Sequence, residues 1–178
     1  MREARFLIVV DMQNDFIDGS LGTAEAQAIV DRAAEHIRRA MDEGVTVIAT
    51  LDTHTPDYIN TSEGRHLPVV HCVKGTPGWQ LNPKIEAALM DAVRVEKPTF
   101  GSVRLPELIR NQIVPEDEVT IELIGLCTDI CVVSNALLLK ASFPDAAIAV
   151  NPACCAGVTP ARHEAALETM RSCQIDLL

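Results

Sequence analysis

The sequence predicts an α/β fold of three layers, αβα, around a doubly wound and mostly parallel sheet. Three observations predict it. Strand-type and helix-type segments alternate along the whole chain. Nearly every strand-type segment is a continuous apolar run, as expected when helices cover both faces of a sheet. Several of those runs end on a charged residue, which is where sites form in open sheets of this kind.

Each segment supports that reading in turn. "RFLIVVD" is a β-branched run ending on Asp11. "AEAQAIVDRAAEHIRRAMDEG" places Ile29, Val30, Ala33, Ala34, Ile37, Ala40 and Met41 at helical spacing, and Gly44 suits its carboxyl cap. "VTVIATLD" is a second buried strand, ending on Asp52. A short helix "NPKIEAALM" precedes the strand "AVRVEK", which ends on Lys97. "LPELIRNQI" reads as a helix and "EVTIELIG" as a strand. "DICVVSNALLLKAS" is a helix stopped by Pro144, and "AAIAV" is a strand. "TPARHEAALETMRSC" is a helix with Thr159 as amino cap and Pro160 in the first turn. The stretch from Thr53 to Pro83 has no clear periodicity. It carries His54, His66 and His71, and long irregular loops in compact domains are usually functional or disordered.

A length of 178 residues suits one domain, residues 1–178, with no repeat or low-complexity linker inside it. The net charge of −10 argues against nucleic acid or an anionic membrane as partner. No apolar run approaches the ~20 residues of a membrane helix, and the amino terminus lacks signal-peptide features, so the expected location is the cytosol. There the six cysteines stay reduced, and no CxxC pair offers a zinc ribbon or a thioredoxin motif.

The candidate chemistry sits at the strand ends. Thr128 can cap a helix whose first turn holds Cys131. Backbone N–H groups and the helix dipole there lower a thiol pKa. The competing reading, an inert buried cysteine, is the commoner fate of a free Cys. Cys127, at the end of a strand run, reads as structural. Asp11 could accept a thiol proton or merely cap a loop, and Lys97 could hold two anions or be an ordinary solvated lysine. Taken together they supply a nucleophile, a base and a charge stabiliser, the minimum for acyl transfer. A second group comprises Asp52, His54, Glu63 and His71, a mixed N/O set suited to zinc, iron or manganese; polar loop residues making hydrogen bonds are the plain alternative. His66 is a substitute ligand, and His36 and His163 read as surface residues.

Five segments in this order, "VVDMQNDF", "DTH", "HCVKGTPGW", "EKPTFGS" and "GLCTDICV", resemble the isochorismatase-like cysteine hydrolases, and among them the nicotinamidases. The resemblance runs from the first strand to the last helix. It implies a catalytic triad of Asp11, Lys97 and Cys131, metal ligands Asp52, His54 and His71, and Glu63 as a fourth ligand. It further implies a cis peptide between Leu126 and Cys127, an oxyanion hole from the N–H groups of Cys127 and Cys131, and aromatic pocket positions at Phe16 and Phe100. The implied activity is metal-dependent deamidation of nicotinamide to nicotinate and ammonia through a thioester, with zinc as the expected ion. The implied partners are a small amide substrate and further copies of the chain, although no interface signature stands out. Two alternatives remain. One is a hydrolase of another small amide, such as an N-carbamoyl or ureido compound; the other is a non-catalytic domain of the same fold. An aromatic residue expected shortly before the last metal histidine is replaced by Leu67 and Pro68. Relatives without a metal lack the DxH pair and the later histidine, which this chain keeps.

Overall fold

A computed structural model describes residues 2–178. Six strands form one sheet in the order β3-β2-β1-β4-β5-β6. They are β1 (Glu3–Val10), β2 (Thr46–Asp52), β3 (Val93–Lys97), β4 (Glu118–Leu126), β5 (Ala147–Ala156) and β6 (Asp176–Leu177). Every pairing is parallel, so the sheet is wholly rather than mostly parallel.

Alternation along β1 divides the core. Leu7 and Val9 face helices α2 (Ala24–Asp42) and α4 (Pro83–Leu89), while Phe6, Ile8 and Val10 face α5 (Arg104–Arg110), α6 (Val133–Ser142) and α7 (Pro160–Ser172). Residues i and i+2 of a strand share a face, so one strand can serve two helical layers. Helix α2 buries the predicted stripe from Ile29 to Ala40 and leaves Arg32, Glu35 and Arg39 in solvent. Complete burial of a side chain such as Ile37 contributes about 1.5–3 kcal/mol. The Thr23 hydroxyl accepts from the Ala26 N–H at the start of α2, and Gly44, with φ +74°, follows its last turn. Helix α7 is capped by Thr159 as its sequence predicts.

The segment from Thr53 to Pro83 has more order than its lack of periodicity predicts. It contains a 3-10 turn at Tyr58–Asn60 and the short helix α3 (Ser62–His66), capped by Thr61. Both are too short to display a helical period. The same holds for α1 (Asn14–Ile17) and for β6. No helix among the described residues is long and apolar enough to cross a membrane.

The helices that follow β1 and β4 pack on opposite faces, so the strand order reverses between these two neighbours, and crevices open at such points. Gly125 makes the approach close. Its φ is +119°, and a Cβ there would lie 2.1 Å from the Val10 carbonyl oxygen. Without a side chain in the way, the end of β4 lies against the segment that carries Asp11.

Candidate active site

Four adjacent strand ends deliver the polar groups. Asp11 follows β1, Asp52 ends β2, Lys97 ends β3, and Cys131 lies in the turn after β4. Asp52 and Lys97 are direct neighbours in the β2–β3 register. Lys97 Nζ is 2.6 Å from Asp11 Oδ2, 3.4 Å from Cys131 Sγ and 3.8 Å from Asp52 Oδ1. Asp11, Lys97 and Cys131 are all buried, so the lysine is no solvated surface residue. Its ammonium also donates to the Thr99 carbonyl.

Burial pushes the Asp11 carboxyl up, and the Lys97 charge pulls it back. Lys97 itself is raised: burial works against its charge, but Asp11, Cys131 and Asp52 more than offset that. Thr50 donates to Asp11 Oδ1 at 2.6 Å. The group that faces Asp11 Oδ2 is the Lys97 ammonium, in the ion pair at 2.6 Å.

The turn that carries Cys131 differs from the expectation. Residues Thr128–Val132 form one wide π-helical turn, with Cys127 rather than Thr128 at its amino cap. The Thr128 hydroxyl is bonded instead to His163. Cys131 is therefore the fourth residue of a wide turn, and burial pushes its thiol well up rather than down, with Asp11 adding to the effect. Without a standing thiolate, deprotonation needs a base in reach. The Leu126–Cys127 peptide bond is cis. The Cys127 side chain is partly exposed to the cavity rather than a closed core residue, and burial still pushes its thiol up to about 12.

The second group gathers as well. One ligand atom each from Asp52, His54, Glu63 and His71 lies within 4.8 Å of all the others. His54 Nε2 is 2.9 Å from Asp52 Oδ2, and His71 Nε2 is 3.4 Å from it. Both nitrogens are 3.6 Å from Glu63 Oε1. A tetrahedral ion with ligands at about 2.0–2.1 Å sets them about 3.4 Å apart, so the spacing and the N/O chemistry fit a divalent metal. His71 Nδ1 lies 2.8 Å from the Val69 carbonyl, which leaves Nε2 free to face its neighbours. A bridge between His54 and Val73 brings the ends of the loop together. His66 is not in this group. It is exposed, and its ring is bonded to the Ser62 carbonyl.

Cys131 of the first group and Asp52, Glu63 and His71 of the second line one cavity of about 640 Å³. Phe16, packed 5.5 Å from the His71 ring, and Phe100, at the rim, line it together with Leu67, Ile130 and Arg162. The aromatic absent at Leu67 and Pro68 has a counterpart elsewhere. Tyr58, fully buried, packs edge-on against His54 and His71 and donates to the Leu67 carbonyl.

With this geometry in view, the comparisons with known proteins decide the family. The family model for the isochorismatase domain matches residues 5–178. The chain belongs to the isochorismatase family. It is 31% identical to a nicotinamidase/pyrazinamidase of Mycobacterium tuberculosis, over 98% of each chain. Among solved structures it resembles the pyrazinamidase of Pyrococcus horikoshii in complex with zinc, with a TM-score of 0.82, 28% identity and 98% of both chains covered. It also resembles N-carbamoylsarcosine amidase from Thermoplasma acidophilum, with a TM-score of 0.79, 28% identity and coverage of 99% and 95%. This family member is a hydrolase.

Sequence reasoning overlooked four supports of the site. Thr50 sits two residues before Asp52 on the same strand, a spacing that could have marked it. Gln13, fully buried, donates to the Asp52 carbonyl and accepts from the Asp52 N–H, both at 2.8 Å. Tyr58 gave no signal within an irregular loop. Asn135, one helical turn past Cys131, donates to the Cys131 carbonyl at 2.8 Å and to the Phe100 carbonyl at 3.2 Å, and accepts from the Ser102 N–H. His36 and His163 are half-buried rather than on the surface. His36 pairs with Glu122 at 2.8 Å, and His163 bonds Thr128.

Proposed function

We propose that this protein is a metal-dependent nicotinamidase that works through a thioester on Cys131. The chain is a hydrolase acting on amide C–N bonds; the substrate, the thioester and the metal are our reading. The observation that carries it is that Cys131 lines the same cavity as Asp52, Glu63 and His71, with Lys97 against the sulfur, Asp11 against Lys97, and His54 against Asp52.

Asp11, raised by burial, takes the Cys131 proton. The sulfur attacks the carboxamide carbon. The oxyanion rests on the N–H groups of Cys127 and Cys131, and donors of this kind contribute about 3–4 kcal/mol in the transition state. Asp11 returns its proton to the leaving ammonia, then takes one from the water that cleaves the thioester. Lys97 keeps the charge of this exchange balanced. Asp52, His54, Glu63 and His71 hold a divalent ion, zinc in our reading and iron or manganese by the same donor chemistry. An ion held there would supply a Lewis acid to the substrate. Phe16 and Phe100 offer apolar faces to the ring.

A second reading has support of its own. The cavity of about 640 Å³ is lined by Leu67 and Arg162 as well as aromatic residues, and one structural relative is an N-carbamoylsarcosine amidase. That favours a small N-carbamoyl or ureido compound. Ammonia release from nicotinamide and from N-carbamoyl amino acids, each with and without a chelator, separates the two. Faster, chelator-sensitive release from nicotinamide is expected; faster release from the carbamoyl compounds selects the second reading.

A further inference from the structure

The bond between Thr128 and His163 ties the nucleophile turn to a different part of the fold. Thr128 is fully buried, and its hydroxyl lies 2.8 Å from His163 Nδ1. His163 belongs to the first turn of α7, where its N–H donates to the Thr159 carbonyl at 3.0 Å. A second tie runs alongside: the Val158 N–H donates to Asp129 Oδ1 at 3.0 Å. Gly157 brings the backbones together, since a Cβ there would lie 2.8 Å from the His163 nitrogen. The β5–α7 turn, through Gly157, Val158 and Arg162, is also a wall of the cavity.

These ties bear on the reacting atoms. Thr128 directly follows Cys127 and opens the turn that carries Cys131, whose two N–H groups form the oxyanion hole under the function proposed above. A wide helical turn of this kind is rare and is frequently found at functional sites. Asn135 fixes its carboxyl side through the Cys131 carbonyl; on its amino side His163 holds Thr128, and Asp129 is tied to the Val158 N–H. We propose that His163 is a positioning residue that acts through the Thr128 hydroxyl to hold the two N–H groups aimed at the developing oxyanion.

The test uses His163→Ala, Thr128→Val, the double variant, and His163→Asn, which can present a polar atom near the position of Nδ1. Two quantities are measured: kcat and KM on nicotinamide, and the affinity of pyridine-3-carboxaldehyde. That aldehyde adds the Cys131 sulfur to its carbonyl carbon, and the oxygen takes the thiol proton or rests in the hole as the anion. Losing one oxyanion donor outright costs about 100- to 1,000-fold in kcat, so loosening both predicts about tenfold. Each single variant should therefore lose about tenfold in kcat with KM within about twofold, and the same factor in aldehyde affinity. His163→Asn should recover most of both. The double variant should be no worse than the worse single, because both remove one bond. Iodoacetamide labelling of Cys131 and thermal melts confirm that each variant is folded. Losses that multiply in the double variant, a change in KM alone, or unchanged aldehyde affinity would overturn the proposal. If the unaltered protein leaves nicotinamide intact, the substrate assignment fails, while the aldehyde measurements still decide the role of His163.

Discussion

Replacing Lys97 with methionine keeps the length of the side chain and removes a cation that touches both Asp11 and Cys131. The ammonium is 2.6 Å from one and 3.4 Å from the other, with Asp52 at 3.8 Å, and the residue is 1% exposed. Removing one partner of a buried ion pair leaves an uncompensated charge and costs about 3–5 kcal/mol. For a chain of this size each kcal/mol lowers Tm by about 2–4 °C, so a fall of about 6–20 °C is expected. The loss has a pH signature. Burial already raises the Asp11 carboxyl above 3.8, and without Lys97 the largest influence opposing that is gone, leaving the Thr50 hydrogen bond. A carboxyl whose folded pKa exceeds its unfolded value makes the folded state bind more protons between the two values. Stability then falls as pH rises through that window, and the deficit is complete above it. The variant should therefore differ less from the unaltered protein at about pH 5 than at about pH 8. Activity should drop by more than about a hundredfold, because neither anion of the proton exchange is offset. Calorimetry across pH, with ammonia release alongside, checks this. A Tm within about 2 °C of the unaltered protein, or a deficit that grows toward acid, would refute the reasoning.

His54→Ala should abolish stoichiometric metal binding in elemental analysis of the purified protein while the fold survives in circular dichroism; unchanged metal content would refute the ligand set. Thr50→Val removes the 2.6 Å donor to Asp11 Oδ1 and leaves a buried oxygen unpaired, at a cost of about 1–3 kcal/mol. Its chemical denaturation midpoint should fall accordingly, with an unchanged m-value; no shift would mean that Asp11 is satisfied in another way.

The layered architecture was legible because the longer strands are apolar runs and helices α2 and α7 begin at the threonine caps their sequences predict. In α2 the predicted apolar stripe, the Thr23 cap and Gly44 agree with one another. The strand-end rule located Asp11, Asp52 and Lys97, since a charge that stops an apolar run is visible without coordinates. What stayed hidden depends on contacts between distant segments. Thr128 carried a local capping signal, but His163 lies 35 residues on and wins its hydroxyl. The environment of Cys131 was misjudged for the same reason: the helix dipole is a local property, whereas burial comes from the whole fold. Tyr58 and Gln13 act through carbonyls and amide groups of the irregular loop and of β2, and no spacing encodes such pairings.

The central claim is that Cys131 carries the acyl group during turnover. Mixing the metal-loaded protein with nicotinamide, quenching in acid within a turnover and mapping the peptides by mass tests it directly. The account predicts one nicotinoyl group on the peptide that contains Cys131 and none on the Cys131→Ala variant, which also releases no ammonia. Ammonia release from that variant, or turnover with the acyl group on another residue, would contradict it.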